Sequence, residues 1–199
     1  MNAPAGGVAI RPARREDVVL LLSLFAELAE YEQLSHLLSA DERKLGQALF
    51  GERPVAEALI AERDGHVAGY AVFFTTFSSF LARPGIWLED LFVRPPHRRF
   101  GVGRALLCAV AALTRERGGE RLEWAALDWN ELALGFYRGL GARTMGEWVT
   151  HRLDGEALER VAGEAAQLAH GSGECRIGVG ADVPASLVAV RRGEWTTPS

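Results

Sequence analysis

The sequence predicts an α/β domain built on a mixed, mostly antiparallel sheet with helices on both faces. The predicted order of elements, β-α-α-β-β-β-α-β-α-β, combines hairpins with helical crossovers and is not a Rossmann order. The chain has 199 residues, 48% hydrophobic and 24% charged, which is typical of one globular domain. We assign residues 1–162 to this domain. Residues 163–199 form a Gly-, Ala- and Ser-rich extension that either stays loose or adds an edge strand at 186–190.

The first half of the chain contains signals for two helices and three strands. Residues 8–11 and the β-rich runs 56–62 and 67–75 predict strands, and Asp64-Gly65 between the last two is a strong hairpin signal. Apolar residues at helical spacing after Pro12 predict the first helix: Val18, Leu21, Leu22, Phe25, Leu28 and Ala29. Residues 39–42 resemble a capping box, with Ser39 as the cap, and predict a second helix over 44–50.

The second half alternates strands with helices. Residues 86–93 predict a strand that follows a turn at 83–85 and ends at Pro95-Pro96. A helix is expected from Gly101 to the Gly118-Gly119 pair, then a strand over 122–127. Asn130 is a good N-cap for a helix that reaches about Leu140, and residues 143–153 predict a final strand.

Composition and spacing argue against several functional classes. Cys108 and Cys175 lie far apart, so no disulfide framework or CxxC site is expected, and the five histidines lack metal-binding spacing. A net charge of −4 argues against a nucleic-acid partner. The sequence has neither an apolar run of about 20 residues nor a start typical of a signal peptide. We therefore expect a cytoplasmic protein that binds no metal, nucleic acid or membrane.

The segment from residue 88 to 107 predicts a phosphate-binding site. A strand, a proline turn and a basic, glycine-rich loop lead into a helix, whose first N–H groups lack partners and attract anions. Gly101 and Gly103 permit close approach of the backbone, and Arg98, Arg99 and Arg104 add positive charge. A helix that simply starts after a glycine turn with solvated arginines is the weaker interpretation, because three arginines surround the glycines.

The spacing Arg98-x-x-Gly101-x-Gly103 resembles the acetyl-CoA-binding motif of the GNAT superfamily of N-acetyltransferases. Five segments are similar to the diamine (spermidine/spermine) acetyltransferase branch and its bacterial thialysine-acetyltransferase-like relatives: AEYEQ (29–33), WLEDLFV (87–93), RRFGVG (98–103), DWNELALGFYRGLGA (128–142) and EWVTHRLDGEAL (147–158). The resemblance covers residues 8–162. It implies a GNAT-like fold, a homodimer, and direct acetyl transfer from acetyl-CoA to a primary amine of a diamine, polyamine or lysine-like amino acid.

The resemblance also implies which residues bind acetyl-CoA. The strand before the loop splays from its neighbour, and the main chain of Leu91, Phe92 and Val93 follows the pantetheine arm and polarises the thioester carbonyl. The loop contributes Arg98, Arg99, Phe100, Gly101, Val102, Gly103 and Arg104. Asn130, Ala133 and Tyr137 belong to the following helix, where Tyr137 protonates the departing thiolate. Asn130 serves as a helix cap, as a pantetheine contact, or as both.

The amine side depends on the acids Glu89 and Asp90, which interrupt an apolar strand. Strand alternation predicts that they face opposite sides unless a bulge intervenes. By resemblance Glu89 acts as the base, through water, and Asp90 is structural or substrate-facing. Four more residues match positions that line the amine site: Tyr31, Glu32, Trp124 and Glu147. Phe80 stands near a position where polyamine enzymes carry tryptophan, so the exact amine stays open.

Two other functional classes compete with this hypothesis. A non-catalytic, regulatory module that binds acyl-CoA would retain the loop, but Glu89 and Tyr137 argue for catalysis. A nucleotide-binding protein would also use a glycine loop, but the sequence has no GxxxxGK[ST] motif. Within the acetyltransferase class, a protein or another amine is the alternative acceptor.

Overall fold

The computed structural model describes residues 7–171, with side chains up to Glu164, so the predicted strand at 186–190 lies outside the described residues. The chain divides into two compact units, Met1–Leu140 and Gly141–Ser199. No helix within the described part is long and apolar enough to cross a bilayer.

The first unit contains a five-stranded sheet in the order β1-β2-β3-β4-β5. The strands are β1 (Val8–Pro12), β2 (Glu57–Arg63), β3 (His66–Ser78), β4 (Arg83–Val93) and β5 (Leu122–Glu123). The first four strands pair antiparallel with their neighbours, whereas β5 runs parallel to β4. This confirms the predicted mixed, mostly antiparallel sheet.

Four helices cover the two faces of the sheet: α1 (Val18–Tyr31), α2 (Glu42–Phe50), α3 (Val102–Glu116) and α4 (Glu131–Gly139). Because side chains alternate between the faces of a sheet, the core forms two clusters, one on each face. One cluster joins α1 and α2 to Ile60, Tyr70 and Phe92. The other joins α3 to Ala61 and Phe73, with Phe136 and Tyr137 of α4 packed against it.

The hairpin between β2 and β3 forms at the predicted place. Arg63 pairs with His66, and the two residues between them, Asp64 and Gly65, have φ angles of 54° and 76°. Positive φ at both central positions defines the turn that matches the twist of the strands. The local signal Asp-Gly therefore determines this hairpin without help from distant contacts.

Three predicted element boundaries differ in the structure. Asp41, and not Ser39, caps α2, because its Oδ1 accepts a hydrogen bond from the Lys44 N–H at 2.7 Å. The predicted turn at 83–85 is part of β4, where Pro84 pairs with Phe77 of β3. Proline is tolerated there because β5 pairs only with Ile86 and Trp87, so no described strand on that side requires an N–H from Pro84. β5 ends at Glu123 because residues 124–127 pair with no strand in the described part of the chain.

The second unit contains α5 (Gly155–Gly171). The predicted strand over 143–153 is wrong, since the described backbone there is irregular. An extended run becomes a strand only when a neighbour supplies hydrogen bonds, which no sequence pattern guarantees. Residues 163–171 continue α5, in keeping with the alanine and glutamate of this segment, which are good helix formers.

The pairing of β4 with β5 determines where the sheet opens. It covers only Ile86 with Leu122 and Trp87 with Glu123. From Leu88 to Val93, β4 keeps β3 on one side and has no described strand on the other, while residues 124–127 leave the sheet. The helix α3 begins just beyond the end of β4, so an open strand edge leads directly to a helix N-terminus.

Candidate active site

A cleft of about 350 Å³ lies along the open edge of β4. The end of α1, the strand β4, the loop into α3, residues 124–127 and the start of α4 form its walls. It brings together seventeen of the predicted site residues: Tyr31, Glu32, Glu89, Asp90, Leu91, Phe92, Val93, Arg98, Arg99, Gly101, Val102, Gly103, Arg104, Trp124, Asn130, Ala133 and Tyr137.

Two predicted site residues are not among those that line the cleft. The Phe100 ring is 55% exposed and lies under the guanidinium of Arg63, away from the cleft wall. Glu147 belongs to the irregular segment of the second unit. The sequence alone did not distinguish these two from their neighbours in the same motifs.

Seven lining residues were missed by the sequence analysis: Leu28, Leu88, Ala125, Ala126, Leu127, Leu132 and Phe136. All are apolar, and apolar side chains in helices and strands are typical of a core. Only the divergence of β4 from the chain after β5 exposes 125–127 to a cleft. No signal in residue type could have identified them.

The loop between β4 and α3 forms the basic end of the cleft. Arg99 and Gly101 have φ angles of 66° and 81°, and Gly101 is the N-cap of α3. The Arg98 Nε–H donates to the Val93 carbonyl at 2.9 Å, which fixes the side chain at the mouth of the loop. Arg98, Arg99 and Arg104 form no salt bridge with any described residue. Their charge is thus available for an anion at the helix N-terminus.

The main chain of β4 presents hydrogen-bonding groups to the cleft. The Arg94 N–H donates to Ala68 of β3 at 2.9 Å, and main-chain groups alternate sides along a strand. The N–H groups of Leu91 and Val93 therefore point to the edge that β5 does not cover. An extended ligand can bind there as an additional strand would.

A β-bulge decides how the two acids of β4 are oriented. Val72 pairs with Asp90 and Phe73 with Leu88, so Glu89 is an extra residue without a partner on β3. Leu88 packs on the α3 face, and the extra residue directs Asp90 to the opposite face, where the Tyr70 hydroxyl donates to it at 3.4 Å. Glu89 is exposed and accepts a hydrogen bond from the Trp87 Nε1–H at 2.9 Å.

Asp90, at this end of the cleft, is a weaker acid than an aspartate in water. Burial, followed by the negative charges of Glu89 and Glu32, raises the pKa of Asp90 to about 6. Burial also raises the pKa of Glu32, the C-cap residue of α1. Glu32, Glu89 and Asp90 thus converge at the acidic end of the cleft, which resolves a question that the sequence left open.

Tyr31 bridges the cleft from the end of α1. Its ring lies 4.6 Å from the guanidinium carbon of Arg98, and its hydroxyl donates to Asn130 Oδ1 at 3.4 Å. The same Oδ1 caps α4 by accepting from the Ala133 N–H at 3.2 Å. Tyr31 therefore contacts residues expected on the cofactor side, although the resemblance places it on the amine side.

Tyr137 faces the cleft from α4, with its ring against Trp124 and Phe136 at centroid distances of 4.9 and 5.2 Å. Burial, with a contribution from the charge of Glu32, raises the pKa of Tyr137 to about 12. Its hydroxyl therefore keeps its proton at neutral pH. Within residues 7–164 the hydroxyl has no hydrogen-bond partner, which leaves it available to a ligand.

The arrangement can hold an anion at one end of the cleft and a cation at the other, with an open strand edge between them. Among the described residues, no group of three or more histidine, cysteine or acidic side chains could hold a metal ion. The cleft therefore offers opposite charges to its ligands at its two ends.

Comparison with known proteins identifies the family. Residues 21–142 match the model of the acetyltransferase (GNAT) family. The chain is 36% identical to thialysine N-epsilon-acetyltransferase from Bos taurus, over 79% of this chain and 98% of the relative. It is 32% identical to an L-ornithine N5-acetyltransferase from Arabidopsis thaliana, over 76% of this chain and 86% of that protein.

Solved structures agree on the fold. An integron cassette protein from the mobile metagenome of V. cholerae superposes with a TM-score of 0.66 at 26% identity, covering 78% of this chain and 97% of that one. The chain belongs to the GNAT acetyltransferase family, and it is an enzyme that transfers acetyl groups.

The pKa of Asp90 leads to a prediction about stability. The pKa of its carboxyl is near 4 in the unfolded chain and about 6 in the folded one, so the folded state loses stability as the pH rises from about 4 to about 6, and the full penalty remains above pH 6. Asp90→Asn should therefore raise the free energy of unfolding at pH 7.5 by about 1 kcal/mol or more, and Tm by about 2–4 °C. This advantage should vanish below about pH 4, as differential scanning calorimetry at both pH values will show.

Glu52→Gln is the matched control, because Glu52 is an exposed carboxylate and its replacement removes the same charge. It should change Tm by less than about 1 °C. An Asp90→Asn variant that is less stable than the parent at pH 7.5 would mean that a partner compensates the buried charge.

Proposed function

We propose that this enzyme transfers an acetyl group from acetyl-CoA directly to a primary amine of a small cationic substrate. The observation that carries the proposal is that the two ends of the cleft carry opposite charges. Three arginines without ion pairs among the described residues surround a helix N-terminus at one end, and Glu32, Glu89 and Asp90 converge at the other. A pyrophosphate is attracted to the first end and an ammonium group to the second.

Acetyl-CoA would bind with its pyrophosphate at the loop before α3 and its acetyl group towards the three acids. The N–H groups at the start of α3, with Arg98, Arg99 and Arg104, would hold the pyrophosphate. The pantetheine arm would lie along the open edge of β4 and bond to the main chain of Leu91 and Val93. Asn130 and Ala133 at the start of α4 would form the opposite wall, and the thioester would then lie near Tyr137 and Glu89, which line the same cleft.

The chemistry requires one base and one proton donor. Glu89, acting through a water molecule, would accept a proton from the ammonium group. The neutral amine attacks the thioester carbonyl, and an N–H of β4 stabilises the negative charge that develops on the oxygen. As the tetrahedral intermediate collapses, the C–S bond breaks and Tyr137 donates its proton to the sulfur of coenzyme A. The second proton of the amine nitrogen then passes through water to the tyrosinate, which restores Tyr137 and leaves a neutral amide.

The nature of the acceptor amine follows from the same charges. A diamine, a polyamine or a lysine-like amino acid carries the cation that the three carboxylates favour. The names of the relatives point in the same direction, since thialysine and ornithine each carry a side-chain amine. Tyr31, Glu32, Asp90 and Trp124 would line the amine site, and Glu147 keeps its proposed role there by resemblance alone.

A thiol-release assay with an amine panel tests this function. Putrescine, spermidine, ornithine, lysine and thialysine should release coenzyme A faster than a peptide N-terminus, an aminoglycoside or tyramine. Release with none of the amines, despite binding of acetyl-CoA by calorimetry, would favour a non-catalytic module. Activity confined to the second group would keep the acetyl transfer and exclude the small cationic substrate.

Gly103 provides a test of the cofactor position. A Cβ at Gly103 would contact the side chains of Val93 and Leu91 at 3.5 and 3.7 Å, which are ordinary distances. Gly103→Asp should weaken acetyl-CoA binding at least about tenfold, near 1.4 kcal/mol, because it places a negative charge beside the proposed pyrophosphate site. Gly103→Ala, the control, should bind within about threefold of the parent. Equal calorimetric affinity of parent and Gly103→Asp would locate the cofactor elsewhere.

We also propose a cytoplasmic homodimer. The turn between β3 and β4 exposes Phe77, Phe80 and Leu81, an apolar group at the tip of a hairpin that a second copy could cover. Light scattering at micromolar concentration should give twice the monomer mass, and Phe80→Glu should lower it. Val55→Glu, which changes an equally apolar exposed residue outside the hairpin, should not. A monomeric parent protein would contradict the proposal.

A further inference from the structure

Arg63, the last residue of β2, contacts the phosphate-binding loop although the two are distant in sequence. Its guanidinium carbon lies 3.6 Å from the centre of the Phe100 ring. The side chain of Arg63 is only 19% exposed, so the charged group is largely enclosed in this position. A guanidinium over an aromatic face is an attractive contact, and desolvation strengthens it.

The loop that contains Phe100 needs such a contact. Arg99, immediately before it, has a φ of 66°, a conformation that is uncommon for residues other than glycine and that persists only where its surroundings hold it. The start of the loop is held by the bond from Arg98 to Val93, and its end by Val102, which is buried in the core. Phe100 lies between these two anchors.

The hairpin presents Arg63 from a rigid position. Arg63 pairs with Val8 of β1 and with His66 of β3, so its backbone is held on both sides. The tight Asp64-Gly65 turn follows directly, and Asp64 lies 3.4 Å from the guanidinium. A charged group fixed in this way can restrain the loop that it contacts.

We propose that Arg63 is a positioning residue for acetyl-CoA binding, acting through Phe100. The stacked pair holds the middle of the loop, so that the N–H groups from Arg99 to Gly103 converge before the ligand arrives. The proposal rests on the proposed function, because it assumes that the loop binds the pyrophosphate of acetyl-CoA. It also gives Phe100 a role although its ring does not line the cleft.

Calorimetry with coenzyme A and steady-state kinetics test the pair. Arg63→Ala, Phe100→Ala and Phe100→Leu should each weaken coenzyme A binding about three- to tenfold. The KM for acetyl-CoA should rise by a similar factor with kcat within about twofold. Arg63→Lys should recover part of the affinity, and the double variant Arg63→Ala/Phe100→Ala should bind no more weakly than either single variant.

Arg53→Ala is the matched control, since Arg53 is exposed and its loss removes the same positive charge. It should leave the affinity unchanged. Dephospho-coenzyme A separates positioning from direct contact: positioning predicts that both ligands lose affinity equally. A loss confined to the ligand with the 3′-phosphate, or additive losses in the double variant, would overturn the inference. Failure of the parent protein to bind coenzyme A would instead refute the proposed function.

Discussion

Tyr137→Phe is expected to lower kcat about 100-fold or more while the Kd for acetyl-CoA stays within about twofold. In the proposed mechanism the hydroxyl is needed when the thiolate leaves, and the ring that packs on Trp124 and Phe136 is kept in the variant. Because burial raises the pKa of Tyr137 to about 12, its hydroxyl is protonated throughout the assay range. The loss should therefore be the same from pH 6 to pH 9.

Tyr31→Phe is the matched control for this substitution. Tyr31 lines the same cleft, but its hydroxyl donates to Asn130 and has no proposed part in proton transfer. It should change kcat by less than about threefold. A Tyr137→Phe enzyme with the turnover of the parent would mean that water or another residue protonates the thiolate.

Glu89→Gln is expected to lower kcat/KM about 100-fold at pH 7 and much less near pH 10. At neutral pH the amine is an ammonium ion that must lose a proton, whereas near pH 10 a large fraction of a lysine-like amine is already neutral. Rate measurements across this range, with acetyl-CoA saturating, will show the convergence of the two profiles.

Asp90→Asn shows which of the adjacent carboxylates serves as the base. Asp90 is turned by the bulge towards Tyr70, so its loss should weaken the amine interaction by a similar factor at each pH. If the kcat/KM of Asp90→Asn, and not that of Glu89→Gln, approaches the parent value at high pH, Asp90 is the base. An equal loss for Glu89→Gln at every pH would assign Glu89 to substrate positioning.

Local chemistry explains which parts of the fold the sequence could predict. The Asp64-Gly65 turn, the Asn130 cap and the start of α3 after Gly101 each depend on the preferences of a few adjacent residues. The strand predicted at 143–153 and the boundaries of β4 and β5 were wrong because strands require partners distant in the chain. The helix α5 was missed because a change towards glycine and serine beyond it concealed its alanine-rich pattern.

The candidate site divides in the same way. Arg98, Gly101 and Gly103 lie within one short motif, and a helix that begins there presents its N–H groups whatever the rest of the chain does. Glu32 and Glu89 come from a helix end and a strand, and only the packing of α1 on the sheet brings them to one cleft. No periodicity in the sequence revealed the bulge that turns Asp90 or the contact of Arg63 with Phe100.

By itself the sequence determined the mixed sheet, the basic and glycine-rich loop before α3 and the resemblance to GNAT enzymes, because these depend on residue type at short spacing. The resemblance implied that the strand before the loop splays from its neighbour, and only the tertiary structure decided where this happens: β4 and β5 separate after Trp87. The tertiary structure also decided that Glu32, Glu89 and Asp90 share one end of the cleft, where burial, and then the charges of Glu89 and Glu32, raise the pKa of Asp90. Charges interact over distances in space, and the chain determines those distances only once it has folded.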